Sequence, residues 1–147
     1  MIYSPRVCKA MKLAFYAHEG QSDKGEYPYF AHPLHLAERC STESETIVAL
    51  LHDVLEDAEW AEKYLPDCCT EDELTAIRIL TRPKGVSYQD YIKSVLQNEL
   101  ARKIKVLDLN HNLDETRCEI SNSLRDRYIA ALSILEIDIK EKDGASF

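Results

Sequence analysis

Apolar residues recur at three- and four-residue spacings along much of the chain, as in Ile92, Val95, Leu96, Leu100, Ile104 and Leu107. That period lays one apolar stripe along an α-helix. Neither Gly nor Pro interrupts the stretch between Gly85 and Gly144. Four hydroxyl residues precede a carboxylate by three positions: Thr42-x-x-Glu45, Thr70-x-x-Glu73, Ser87-x-x-Asp90 and Ser123-x-x-Asp126. Each can cap the orphan amides of a helix start. Pro33 suits a first helical position, which leaves His32 at the cap. Together these signals predict helices near 4–18, 33–40, 43–57, 71–80, 88–98, 100–114 and 123–142. No window alternates with a two-residue period between turn signals, so little or no strand is expected. The expectation is an all-α bundle of about six or seven helices in one domain spanning 1–147. The 19–31 segment, with Gly20, Gly25 and Pro28, is its longest irregular piece, and such loops often carry function.

Composition narrows what the bundle can do. With 147 residues and 45% apolar content the chain can bury a core without disulfide or metal staples. It has no apolar run of membrane-spanning length, and its N-terminal residues lack the pattern of a secretory signal, so a cytoplasmic location is expected. A net charge of −8 argues against binding nucleic acid through its phosphates and confines any anionic substrate to a local basic or metal-centred pocket. Five cysteines without a C-x-x-C pair fit reduced thiols, and Cys68-Cys69 reads as loop or core. Only four glycines are present, which excludes a Gly-rich phosphate loop and a dinucleotide fingerprint.

Three clusters could carry chemistry. In Leu50-Leu51-His52-Asp53-Val54-Leu55-Glu56-Asp57, polar groups interrupt an apolar helix, with one imidazole and three carboxylates on neighbouring faces. Either this is the solvated face of an amphipathic helix, or a cation or raised pKa values relieve the mutual repulsion. Asp108, His111 and Asn112 share a second helical face, which reads equally as a polar helix end. His32 in Pro28-Tyr29-Phe30-Ala31-His32-Pro33 is the third. Two His and two Asp from three helices would make a mixed nitrogen and oxygen shell suited to manganese, iron or zinc.

These motifs, with His18-Glu-Gly-Gln21 and Ile79-Leu80-Thr81-Arg82, resemble the HD-domain hydrolases, and within them the hydrolase domain of RelA/SpoT-type enzymes and their small stand-alone relatives. The resemblance runs over roughly residues 8–135. It implies an HD-type helical fold and a metal-dependent phosphohydrolase. By it, His32, His52, Asp53 and Asp108 are the metal ligands, with Mn²⁺ first and Fe²⁺, Co²⁺ or Zn²⁺ as alternatives. Glu56 and Asp57 match the acidic pair that orients and deprotonates the attacking water. Asn112 matches a residue at the nucleotide sugar end, and Lys24 is a reasonable phosphate contact in the loop. His18 and Gln21 read as packing around the site. His35 reads as surface, and Trp60, Tyr88 and Tyr91 as packing.

The substrate side departs from the pattern. Asp23 stands where guanosine tetraphosphate hydrolases usually carry Arg beside the lysine, and Leu109 follows the metal-site Asp where they also carry Arg. Two cations are thereby missing near a heavily charged substrate. The expected activity is hydrolysis of a phosphate or pyrophosphate ester of a nucleotide-like small molecule, with guanosine 3′,5′-bis(diphosphate) 3′-pyrophosphohydrolase as one form. Alternatives are a nucleotide phosphomonoesterase and a noncatalytic nucleotide-binding regulatory module.

Overall fold

The computed structural model describes residues 1–144 of the chain, with side chains through residue 136. Helix α1 (Pro5–Ala17) begins where the Ser4 hydroxyl accepts the Val7 N–H, with Pro5 in the first turn. Helix α2 spans Ala31–Glu38. It starts two residues earlier than Pro33 suggested, so His32 is buried within its first turn rather than standing at the cap.

Helix α3 (Glu43–Leu51) is capped by Thr42, whose hydroxyl accepts the Glu45 N–H, while Glu45 accepts the Ser41 N–H. Every residue from Thr46 to Leu51 is buried, the signature of a helix surrounded by others. It packs on α1 and α2 and on two helices from later in the chain. The expected continuous helix over 43–57 is interrupted. Asp53 sits at the edge of the helical region at φ −105°, ψ −2°, outside α3, and a short helix, α4 (Val54–Asp57), restarts after it. That backbone region is sparsely used and common in active sites. A 3₁₀ segment follows at Glu59–Asp67, missed in the sequence because Pro66 breaks the 3.6 period.

Helix α5 (Glu71–Leu80) carries a complete capping box: the Thr70 hydroxyl accepts the Glu73 N–H and the Glu73 carboxylate accepts the Thr70 N–H. Helix α6 (Tyr88–Leu96) is capped by Ser87 as its sequence suggested. Helix α7 (Glu99–Asn112) is capped by Asn98. Helix α8 (Asn122–Gly144) begins at Ser121, whose hydroxyl accepts the Leu124 N–H, not at the expected Ser123.

Among the described residues the secondary structure is helical, with one isolated bridge, Ser22 to Pro28, and no strand. Helices α5 and α7 complete the shell around α3, and α8 lies on α6 and α7. Ile47, Leu50 and Leu51 of α3, Leu36 of α2, Ile77 of α5 and Ile104 and Leu109 of α7 form the middle of the core. Leu109, noted above for what it replaces, is fully buried there. No described helix is long and apolar enough to cross a membrane.

Candidate metal centre

The break after α3 sets the polar cluster into the core. His52 is buried, and its Nδ1 lies 2.7 Å from the Ala49 carbonyl oxygen. A carbonyl only accepts, so Nδ1 carries the proton and Nε2 presents a lone pair. That Nε2 is buried without a hydrogen-bond partner, although Asp53 Oδ2 is 3.0 Å away. Such an orphan is costly unless something positive sits against it.

The neighbouring donors converge on the same point. His32 Nε2, from α2, lies 3.0 Å from Asp108 Oδ1 and 3.9 Å from Asp53 Oδ2. Asp108, from α7, brings Oδ1 to 3.8 Å from His52 Nε2. Ligand atoms of His32, His52 and Asp53 all lie within 4.8 Å of one another. Donors about 2.1 Å from one ion sit about 3 Å apart, so small adjustments would let these three residues meet one cation, with Asp108 Oδ1 beside them. The electrostatics agree. Burial works against a charged His52, but the Asp53 and Asp108 carboxylates outweigh it and raise its pKa. Burial would likewise push Asp53 up, yet His52 holds it below the ordinary carboxylate range. A site that grips a proton this way offers the same lone pairs to a metal ion.

Several residues hold these donors in place. Lys105 Nζ lies 2.7 Å from Asp108 Oδ2, leaving Oδ1 as the oxygen turned to the cluster. Burial opposes the Lys105 charge, but Asp108 more than offsets it. The Tyr29 hydroxyl donates to Asp53 Oδ2, and burial together with that carboxylate pushes its pKa up. His32 Nδ1 lies 2.7 Å from His111 Nδ1. Burial and the Arg117 guanidinium push His111 down to about 3, so a neutral His111 can accept the His32 Nδ1 proton. His35 is half-buried and stacks on His111 with ring centroids 3.6 Å apart, which corrects its reading as surface.

The acidic pair sits at the edge of this cluster. Glu56 accepts the Arg82 N–H at 3.3 Å, and burial followed by the Asp53 charge raises its pKa. Asp57 Oδ2 accepts from Gln21 Nε2 at 3.3 Å, and His18 Nδ1 lies 2.9 Å from Gln21 Oε1. His18 and Gln21 are therefore a polar link from α1 to Asp57, not mere packing. Beside the cluster opens a cavity of about 310 Å³, reached by Tyr29 and His32 and walled by Lys24, Asn112, Arg117 and Tyr128 among others. Asn112 also donates to Asp108 Oδ1 at 2.9 Å, joining the cavity to the cluster.

Tyr29, Lys105 and Arg117 were absent from the sequence-based site. Tyr29 lay within a quoted motif, and the signal for it and for Lys105 was a polar group three residues before a proposed ligand, His32 and Asp108. Arg117 gave no such signal. Trp60, expected to pack, is half exposed, while Tyr91 is buried with its hydroxyl on the Leu80 carbonyl.

This all-helical arrangement is a fold shared with a solved structure. One solved structure that it resembles is a metazoan ortholog of SpoT, described as hydrolysing ppGpp and playing a role in starvation responses. The two agree with a TM-score of 0.70 at 22% sequence identity, over 92% of this chain and 85% of that one. No family model matches the chain.

Proposed function

We propose that this chain is a metal-dependent phosphohydrolase, one domain acting on a nucleotide-like small molecule. The observation that carries the reading is the orphaned His52 Nε2, aimed at Asp53 with His32 and Asp108 beside it. His32, His52, Asp53 and Asp108 would hold one divalent ion, with Mn²⁺ first and Fe²⁺, Co²⁺ or Zn²⁺ also suited to mixed nitrogen and oxygen donors. Such an ion, when bound, lowers the pKa of a water and draws charge from a phosphoryl oxygen.

The chain's own residues do the rest. Glu56, with its proton affinity raised by burial, accepts the proton of the attacking water. Asp57, held by Gln21, orients that water. Lys24 meets a phosphate from the cavity wall, and Asn112 meets the sugar end. The ppGpp hydrolysis described for the similar structure makes guanosine 3′,5′-bis(diphosphate) the first substrate to try, with pyrophosphate leaving from its 3′ position. The net charge of −8 supports a small-molecule partner over nucleic acid, and unpaired cysteines suit a reducing, cytoplasmic setting.

Replacing Asp53 by Ala tests the reading. Turnover is expected to fall by at least about a hundredfold while the helical circular dichroism is kept, and unchanged turnover would remove the assignment. Substrate-dependent thermal stabilisation without any product would instead favour a noncatalytic nucleotide-binding module.

A further inference from the structure

The cavity beside the metal centre has an unusual charge balance for a pocket that must admit phosphates. Two cations, Lys24 and Arg117, and two carboxylates, Asp23 and Asp114, line it. Ile120, Leu124 and Tyr128 also line it. Arg117 is committed: Nη2 donates to Asp23 Oδ2 at 3.2 Å, and Nη1 donates to the His111 carbonyl at 2.9 Å and to Asn112 Oδ1 at 3.4 Å. Both partners of the Asp23 pair are largely buried, with 11% and 18% of their side chains exposed.

Asp23 is fixed from the other side as well. Its Oδ1 accepts the N–H groups of Gly25 at 2.9 Å and Tyr27 at 3.0 Å, closing the turn of the loop. The loop lies so close to the Arg117 backbone that a Cβ on Gly25 would stand 2.2 Å from the Arg117 carbonyl oxygen. Both charges are thus held against each other, and Asp23 offsets the guanidinium that lines the cavity. A cation so neutralised attracts a polyphosphate far less than a free one.

We propose that the Asp23–Arg117 pair is a specificity determinant that limits the substrate to a nucleotide carrying little charge beyond the group being hydrolysed. A second diphosphate arm entering the cavity would meet a wall of zero net charge and an apolar flank that suits a nucleoside better. This rests on the reading of the site as a phosphohydrolase and deepens it by setting the substrate's charge.

The test compares two substrates with the same cleavable group, guanosine 3′-diphosphate and guanosine 3′,5′-bis(diphosphate), by kcat/KM in the Mn²⁺-loaded protein. The wild type is expected to favour the first. Asp23→Asn can keep the oxygen that accepts from Gly25 and Tyr27, while the amide nitrogen that replaces Oδ2 cannot accept from Arg117 and so releases the guanidinium. It should shift the ratio about tenfold toward the more charged substrate, about 1.4 kcal/mol. Arg117→Gln leaves Asp23 unpaired and should shift the ratio the other way. A partly folded variant lowers both rates alike and leaves the ratio where it was. Wild-type turnover with a ratio that neither variant moves, or a wild type that prefers the bis(diphosphate), overturns the inference and leaves the hydrolase reading standing. Turnover of neither substrate by the wild type overturns both.

Discussion

One hydrogen bond, from His52 Nδ1 to the Ala49 carbonyl, decides which nitrogen of that ring faces the cluster, and a similar device acts on His32. There the partner is His111, a neutral ring where many metal sites use a carboxylate or carbonyl. His111→Ala should weaken Mn²⁺ binding about 10- to 100-fold by calorimetry, and His111→Asn, whose amide oxygen can accept from His32, should recover part of that loss. Glu56 gives a pH signature. Burial and Asp53 raise its pKa above the ordinary 4.5, and a proton acceptor works only when ionised. The acid limb of kcat/KM should therefore lie above the usual carboxylate range, with the rate rising as pH rises through it. Glu56→Gln should abolish the limb along with most of the activity. At this scale the polar clusters around His32, within 52–57 and around Asp108 were legible in the sequence because each is local, and the closeness of His32, His52 and Asp53 is what the fold adds. Arg117 was not legible, since its meaning comes from Asp23, 94 residues away, and nothing near it in the chain marks the pairing.

Elements are tied together by a second buried carboxylate. Glu73, at the start of α5, is fully buried. It accepts from Arg6 of α1 at 2.7 Å, from Ser44 of α3 at 2.7 Å and from the Thr70 amide. Burial would raise its pKa, but these partners hold it below the ordinary 4.5. A depressed carboxylate contributes stability that is present above the unfolded value and is lost as pH falls through the folded one. Chemical denaturation should therefore show stability declining below about pH 4.5, and Glu73→Gln should flatten that decline. Glu73→Ala should cost about 1–3 kcal/mol, because it leaves the Ser44 hydroxyl and the Thr70 amide without their acceptor, while Arg6 keeps Glu43 and the Cys68 carbonyl. The sequence marked Glu73 only as a capping-box partner, a local role it does fill. Three of the four hydroxyl caps named from the sequence occur, and the fourth is displaced from Ser123 to Ser121. Where tertiary demands override periodicity, local reading fails: α3 stops at Leu51 because His52 and Asp53 are needed at the cluster, although the apolar pattern continues to Leu55.

For the whole molecule, three helices or their ends must stay in register for the cluster to exist: α2 supplies His32, the end of α3 supplies His52 and Asp53, and α7 supplies Asp108. Loss of a core contact such as Leu51→Ala should cost about 2–5 kcal/mol in denaturant titrations. A cation that binds only this folded arrangement should stabilise it, by about 2.7 kcal/mol at a hundred times its Kd, and it should leave His52→Ala almost unaffected. The all-helical fold was legible because amphipathic periods and caps agree along the chain, whereas the cavity and its charge balance arise only where the 19–31 loop meets the segment after α7. The most direct test of the central claim joins metal content to turnover in one sample. The protein is stripped with chelator, titrated with Mn²⁺, and assayed by product analysis against guanosine 3′,5′-bis(diphosphate) and a panel of mononucleotides. The account predicts no product from the stripped protein and turnover that rises to a plateau at one equivalent of metal. Hydrolysis that persists undiminished without metal, or one bound equivalent with no product from any substrate, would contradict it.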